Sequence, residues 1–365
     1  MSNQPLNLLI KPASSLCNMK CGYCFYHAEA MSRESYSHGL MSYETADKLI
    51  DRAFEFAQKK PISFAFQGGE PLLSGLDFYT HFVEVVQAKN VSNNAIFYSI
   101  QTNGTLINDD WAKFFLKHKF LVGVSLDGNQ KANRERRLKD GMFAYGKTID
   151  GINYLTKYGV EYNILCVLTR DIANNIEEVY KYYKESGFKY LQFTPYLSPL
   201  ENNSPDRFIL TTKDYASYLI RLFNLYVKDY IKGNYVSIRM FDNLVQLYLG
   251  RPAEQCGMNG FCGHHYVVEG DGACYPCDFY CLDEYCLGNF KDTSFDEMEK
   301  STIATKFISD SFKVSQKCAA CKYFKLCHGG CKRYRINCDY CEAYRIFFEA
   351  CLPLFRVFMH EKTNT

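Results

Sequence analysis

The sequence predicts an α/β protein: a partial barrel of six strand–helix units, followed by a cysteine-rich region. Three observations support this. Strand-like runs alternate with helically spaced segments over the first two thirds. Polar or glycine-rich stretches follow successive strands. Cysteines crowd into the C-terminal third.

Runs rich in β-branched and aromatic residues fall at 6–11 (LNLLIK), 62–66 (ISFAF), 95–100 (AIFYSI), 120–125 (FLVGVS), 161–168 (EYNILCVL) and 189–194 (KYLQFT). Between the first two, residues 43–58 carry Ala46, Leu49, Ile50, Ala53, Phe54 and Ala57 on one helix face. A second helix is expected over 174–186, with Asn174 and Glu177 as a capping box and Gly187 as its stop. Such alternation argues for a parallel sheet with right-handed crossovers, and six units are too few for a closed eightfold barrel. Residues 1–235 are therefore expected to form the barrel domain and 236–365 a second, cysteine-rich domain. Short irregular segments in the latter leave little apolar periodicity, so bound metal would supply much of its stability.

Composition narrows the function. The chain has 365 residues, 42 Lys+Arg and 40 Asp+Glu. That near balance gives no whole-chain drive toward nucleic acid or an anionic membrane. Hydrophobic residues make up 47% and aromatics 16%, enough for a sizeable core. No apolar run approaches the roughly 18 residues of a membrane span. The first residues, MSNQPLNLLIKPASS, lack the basic and apolar regions of a secretory signal. A cytoplasmic location is expected, where thiols stay reduced. Seventeen cysteines, an odd number with clustered C-x2-C pairs, then point to metal ligation rather than disulfides.

Cys17, Cys21 and Cys24 follow the first strand directly. Three thiolates can hold three irons of a four-iron cluster, while an all-protein set needs four. The iron left open can chelate a small molecule through an amine and a carboxylate. A zinc site would instead need a closed set of four ligands, with His27 the nearest fourth. Strand ends carry Gln67-Gly68-Gly69-Glu70-Pro71, Gln101-Thr102-Asn103-Gly104 and Ser125-Leu126-Asp127-Gly128, where barrel enzymes build their sites. Gly68 and Gly69 would let backbone approach a ligand closely.

With Tyr23 before its last Cys and GGEP downstream, this C-x3-C-x2-C motif resembles that of the radical S-adenosylmethionine (SAM) superfamily. The resemblance implies a partial (β/α)6 barrel. It implies that Tyr23 and Gly69 contact the cofactor through backbone, with Glu70 beside its methionyl amine. Ser125 and Arg137 would hold its ribose or carboxylate, with Arg134 and Arg136 crowding the latter, and Leu197 would line the adenine.

The C-terminal region contains Cys318-x2-Cys321-x5-Cys327-x3-Cys331, preceded by Cys256, Cys262 and Cys277 and followed by Cys341. Isolated C-x2-C spacing also suits zinc ribbons, and a zinc-ribbon scaffold is the non-enzymatic alternative. The whole array resembles a SPASM domain with two auxiliary four-iron clusters. The resemblance assigns Cys256, Cys262, Cys277 and Cys331 to one, and Cys318, Cys321, Cys327 and Cys341 to the other, with Cys338 and Cys351 as rivals for the last place. Cys166, inside an apolar strand, reads as core. Cys274, Cys281 and Cys286 stay unassigned.

From LLIKPASS through CFYH, AFQGGEP, CGMNG and YPCDFY, the chain is most similar to the anaerobic sulfatase-maturating enzymes. That similarity implies oxidation of a Cys or Ser in a sulfatase motif to Cα-formylglycine, three four-iron clusters, a sulfatase polypeptide as partner and an electron donor such as flavodoxin or ferredoxin. Asp278 matches the family's base, and Tyr26 reads either as a channel residue or as a packed aromatic. Thioether or other cross-linking of a ribosomal peptide is the competing activity. His264-His265 read as polar loop residues. Lys332, Arg333 and Arg335 read either as counter-charges to a cluster or as a solvated face.

Overall fold

A computed structural model of the chain describes residues 5–199, 206–337 and 340–363. Its strands are β1 (Leu6–Ile10), β2 (Ile62–Phe66), β3 (Ile96–Thr102), β4 (Phe120–Ser125), β5 (Tyr162–Leu168), β6 (Tyr190–Pro195), β7 (Ser237–Ile238), β8 (Tyr266–Val268), β9 (Ala273–Tyr275) and β10 (Gly288–Asn289). The first six match the sequence expectation to within two residues at each end. Each follows a β-branched or aromatic run that fits a pleated, half-buried surface.

The chain forms two units that are discontinuous in sequence. The first comprises Met1–Ser125, Arg134–Tyr162 and His264–Phe307. In it β1, β2, β3 and β4 pair in parallel, with Leu6 opposite Ile62, Ile62 opposite Ile96, and Tyr98 opposite Phe120. β8 joins the other edge of β1 in parallel, Leu8 opposite Tyr266, and β9 and β10 continue antiparallel. Thus His264–Phe307, read from sequence as part of the cysteine-rich region, builds onto the strand that precedes the first cysteines.

Helices Tyr43–Ala57, Leu76–Lys89 and Asp109–Lys117 supply the crossovers. The first is capped by the Ser42 side chain, which accepts from Thr45 N, and buries Ala46, Leu49, Ile50, Ala53 and Ala57. Aromatic rings fill the space beneath the strands. Phe64 and Phe66 of β2 meet Phe82 edge-on at 5.2 and 5.1 Å, and Phe66 meets Tyr79 at 4.9 Å. Each fully buried ring contributes roughly 1.5–3 kcal/mol of transfer free energy.

The second unit comprises Leu126–Asn133, Asn163–Gly263 and Ile308–Thr365. β5 pairs with β6 and β6 with β7, all parallel. The helix expected over 174–186 is instead two. Arg170–Asn174 starts early because the Thr169 hydroxyl caps Ile172 N, and Ile176–Glu185 begins after Asn175. Asn174 therefore ends a helix rather than capping one. Gly187, at φ +78°, follows the second helix as expected.

The helix Thr212–Ile231 carries a capping box between Thr211 and Asp214. Its Phe223 stacks on Phe355 at 4.6 Å and meets Phe347 edge-on at 5.3 Å. Among the described residues no helix is long and apolar enough to cross a membrane.

Candidate functional site

In the first unit, three loops at strand carboxyl ends are laced together. The cysteine loop after β1 receives Gly69 N on Ser14 O and Glu70 N on Leu16 O, both at 2.8 Å. Asn103 Nδ2, after β3, donates to Asn18 Oδ1 at 2.8 Å, and Asn103 N donates to Glu70 Oε2 at 2.8 Å. A Cβ on Gly69 would lie 2.1 Å from Leu16 O. The glycine thus permits contact between two protein backbones, where the sequence suggested contact with a ligand.

Glu70 is fully enclosed. Its Oε1 accepts from Leu72 N at 3.0 Å and Thr102 Oγ1 at 2.7 Å. Burial pushes its carboxyl up to about 7, against the pull of these hydrogen bonds. Its carboxylate fastens the loops after β2 and β3.

Cys17, Cys21 and Cys24 sit on this loop, each with some exposure. Met19 N donates to Cys17 Sγ at 3.3 Å. Burial, then Glu70, with smaller contributions from Cys21 and Cys24, pushes the Cys17 thiol up to about 12. Burial also raises Cys24. Three thiolates so close are disfavoured unless a cation compensates them, which is what iron supplies. Among the described residues the cysteines form no disulfide, and no three His, Cys, Asp or Glu side chains converge on a single ion. Three protein thiols, with no fourth protein donor assigned, fit a cluster better than the closed four-ligand set of a structural zinc.

Tyr23 is buried with the Arg136 guanidinium 5.5 Å from its ring centroid. The structure separates the crowded arginines. Arg134 pairs with Glu135 at 3.6 Å, and Arg136 lies under Tyr23. Arg137 is exposed, stacked on Phe143 at 4.4 Å and donating to Gly141 O at 3.1 Å. Ser125 Oγ, at the end of β4, accepts from Gln101 Nε2 at 3.0 Å. In the second unit, Leu197 lies buried just past β6, and Asp127 accepts from Val167 N at 2.9 Å. Asp127 therefore supports the sheet.

Asp278 opens a short helical turn directly after Cys277. Its Oδ1 pairs with Lys11 Nζ at 2.7 Å and its Oδ2 accepts from Gln67 Nε2 at 2.7 Å. Lys11 and Gln67 are the residues immediately after β1 and β2. Glu269 lies behind, paired with Arg33 at 2.9 Å and hydrogen-bonded by the Tyr26 hydroxyl. Tyr26 is 3% exposed, so the packed-aromatic reading holds. Sequence reading missed Lys11, Arg33 and Glu269 and named Gln67 only as part of a strand-end loop. Gln67 alone carried a local signal, standing beside Gly68 at a strand end.

In the second unit a cavity of about 420 Å³ is bordered by Cys256, Cys318, Cys327, Cys331 and Cys341. Burial, then Cys331 and Cys262, pushes Cys256 up to about 11. Burial, with Cys318, Cys321 and Cys341, does the same to Cys327 against the Gly329 N–H. The thiols thus fall into two mutually coupled sets. Arg335 braces the region by donating to the carbonyls of Gly329, Gly330, Gly260, Ser311 and Lys313. Arg333 is buried and donates to Ser198 O. Neither is a solvated basic face.

Cys166, Cys274, Cys281 and Cys351 are buried, Cys286 is half-buried, and Cys338 lies outside the described residues. His264 lies 3.9 Å from Glu299, while burial, then His264, lowers His265.

A family model described as the radical SAM superfamily matches residues 12–183, and one described as an iron-sulfur cluster-binding domain, SPASM, matches residues 260–322. The fold and the thiol-bearing loops therefore define a radical SAM enzyme with a C-terminal SPASM domain. The chain is 44% identical over 360 residues to the cysteine-type anaerobic sulfatase-maturating enzyme of Clostridium perfringens (strain 13 / Type A), covering 96% of this chain and 97% of that one. It is 43% identical to the cysteine-type enzyme of Clostridium novyi (strain NT), covering 94% of each. It is 31% identical to the serine-type enzyme of Bacteroides thetaiotaomicron, covering 92% and 84%.

Native anSMEcpe with bound AdoMet and Cp18Cys peptide superposes with a TM-score of 0.92 at 44% identity, covering 97% of this chain and 99% of that one. The chain belongs to the anaerobic sulfatase-maturating enzymes. Streptococcus suis SuiB bound to its precursor peptide, at 20% identity and a TM-score of 0.62, shares the fold alone.

Proposed function

We propose that this protein oxidises a cysteine, or a serine, in a sulfatase motif to Cα-formylglycine, with reductive cleavage of SAM to methionine and 5′-deoxyadenosine. The observation that carries the reading is a carboxylate, Asp278, gripped by the residues that follow β1 and β2; the loop after β1 bears the three thiols, and the loop after β2 is hydrogen-bonded to it. The higher identity to cysteine-type than to serine-type enzymes favours cysteine as substrate.

Three four-iron clusters are assigned. Cys17, Cys21 and Cys24 would hold the first. Cys256, Cys262, Cys277 and Cys331 would hold the second, and Cys318, Cys321, Cys327 and Cys341 the third. Backbone at Tyr23 and Gly69, with Glu70, Ser125, Arg137 and Leu197, would bind SAM; Arg137 is exposed and, among the described residues, without the acidic partner that Arg134 has in Glu135. A sequence boundary at about residue 235 between the barrel and the cysteine-rich segment is proposed alongside the discontinuous compact units. A sulfatase polypeptide is the partner, a flavodoxin or ferredoxin the reductant, and the cytoplasm the location.

When bound, the clusters and SAM supply a primary carbon radical able to take hydrogen from a Cβ, together with a sink for the second electron. What remains for the chain is the proton of the substrate thiol. Asp278 accepts it at Oδ2, whose present partner is the neutral Gln67 amide. Oδ1 stays against Lys11, and a carboxylate oxygen has lone pairs for both. The thiocarbonyl carbon formed then takes up water and loses hydrogen sulfide.

Anaerobic incubation with a cysteine-motif peptide, SAM and reductant tests the reading, with aldehyde formation followed by peptide mass. A mass change matching a cross-link would overturn it. Asp278→Asn should retain SAM cleavage and lose about a hundredfold or more of the aldehyde product. Undiminished product would remove Asp278 from its role.

A further inference from the structure

Lys11 has no exposed surface, yet its ammonium is surrounded by charge and π density. Asp278 Oδ1 lies at 2.7 Å, Cys281 Sγ at 3.3 Å, the Tyr26 ring centroid at 3.5 Å and Glu269 Oε1 at 3.9 Å. An unpaired buried ammonium would shed its proton. Here burial is outweighed by Asp278, Cys281, Tyr26 and Glu269, which hold the group well above the usual lysine range.

The charges balance as Lys11 and Arg33 against Glu269 and Asp278. The side chains of Lys11, Arg33 and Glu269 have 0% exposure, while Asp278 keeps 16%. Glu269 is already served by Arg33 and Tyr26, so the nearer anion for Lys11 is Asp278. Asp278 is thus the outlet of a sealed charge network. A carboxylate pinned at one oxygen by Lys11 and at the other by Gln67 cannot swing. Lys11 leads into the three-thiol loop, and Gln67 leads into the segment hydrogen-bonded to that loop through Gly69 N and Glu70 N.

We propose that Lys11 is the positioning residue for Asp278, holding the carboxylate in register with the three-thiol loop, so that hydrogen removal and proton removal act on one substrate side chain. This rests on the function proposed above and deepens it. Without the ammonium, Asp278 and Glu269 would face Arg33 alone. The carboxylate would then be free to turn outward, and substrate activation would become uncoupled from product formation.

The test is Lys11→Met in the reconstituted full chain, given a cysteine-motif peptide, SAM and reductant. The readouts are 5′-deoxyadenosine, aldehyde and iron per chain. The expected result is peptide-dependent 5′-deoxyadenosine within about threefold of the parent, with aldehyde down by about thirtyfold or more at similar peptide KM. Lys11→Arg should recover part of the ratio. In iron-loaded protein, a buried lysine serving only the fold would lower both products together, and that result overturns the proposal, as does an unchanged ratio. Should Lys11→Met fail to load iron, the charge-balanced pair Lys11→Met with Glu269→Gln carries the same comparison. Absence of aldehyde from the parent chain would count against the proposed function instead.

Discussion

Replacing Gly69 by alanine is the sharpest test of how the cysteine loop is held. The new Cβ would sit 2.1 Å from Leu16 O and 2.6 Å from Leu16 C. Both are backbone atoms, so no rotamer change gives relief, and the two segments must separate. Separation breaks Gly69 N to Ser14 O and Glu70 N to Leu16 O. These are worth about 1 kcal/mol each, and overpacking adds about 1–3 kcal/mol, for a total of about 3–5 kcal/mol. At about 1.4 kcal/mol per factor of ten, the native loop arrangement is disfavoured a hundredfold or more.

The assay is iron content and SAM cleavage after anaerobic reconstitution, beside Gly146→Ala, where a Cβ meets nothing within 4 Å. Gly69→Ala should lose roughly the four irons of one cluster and nearly all cleavage, with the control unchanged. Full iron and parental cleavage in Gly69→Ala would refute the argument that this backbone contact sets the loop.

Two further outcomes follow from the cysteines and the histidine pair. Cys331→Ala should cost up to about four irons per chain, whereas Cys166→Ala, a buried thiol on β5, should cost about 1–2 kcal/mol of stability and no iron. Iron analysis with thermal melts distinguishes these. His38 Nδ1 pairs with Asp271 Oδ2 at 2.9 Å. That hydrogen bond raises His38 against the effect of burial, with Glu269 adding to the rise and Arg33 opposing it. Its stabilisation is therefore complete below about pH 6.5 and is lost as pH rises through the elevated value. Asp271 is 42% exposed, so the contribution is at most about 1 kcal/mol. The pH dependence of melting should flatten over that window in Asp271→Asn, and an identical pH profile would contradict the assignment.

Local signals made the strands and the first motif legible. Runs such as ISFAF and FLVGVS, and three cysteines directly after LNLLIK, need no distant partner to be recognised. What escaped was set by long-range pairing. A single lysine after an apolar strand carries no hint that it will meet Asp278, and Glu269 and Arg33 are equally silent. Gly69 was rightly singled out as a place for close approach, but its neighbour is Leu16. Asn174 failed as a cap because the Thr169 hydroxyl competes successfully for Ile172 N and starts the helix sooner. The assignment of His264–Phe307 differed because short strands such as Tyr266–Val268 show too little alternation to announce which edge they will join.

That late pairing has a consequence for biosynthesis. β1 leaves the ribosome more than 250 residues before the strand that covers its outer edge, Tyr266–Val268. Over that interval the edge stays open, and Lys11 lacks both carboxylates that will neutralise it. The proton-accepting half of the centre is thus completed only after Glu269 and Asp278 have emerged. A truncated product could carry every thiol of the N-terminal loop and still have no base with which to finish a turnover.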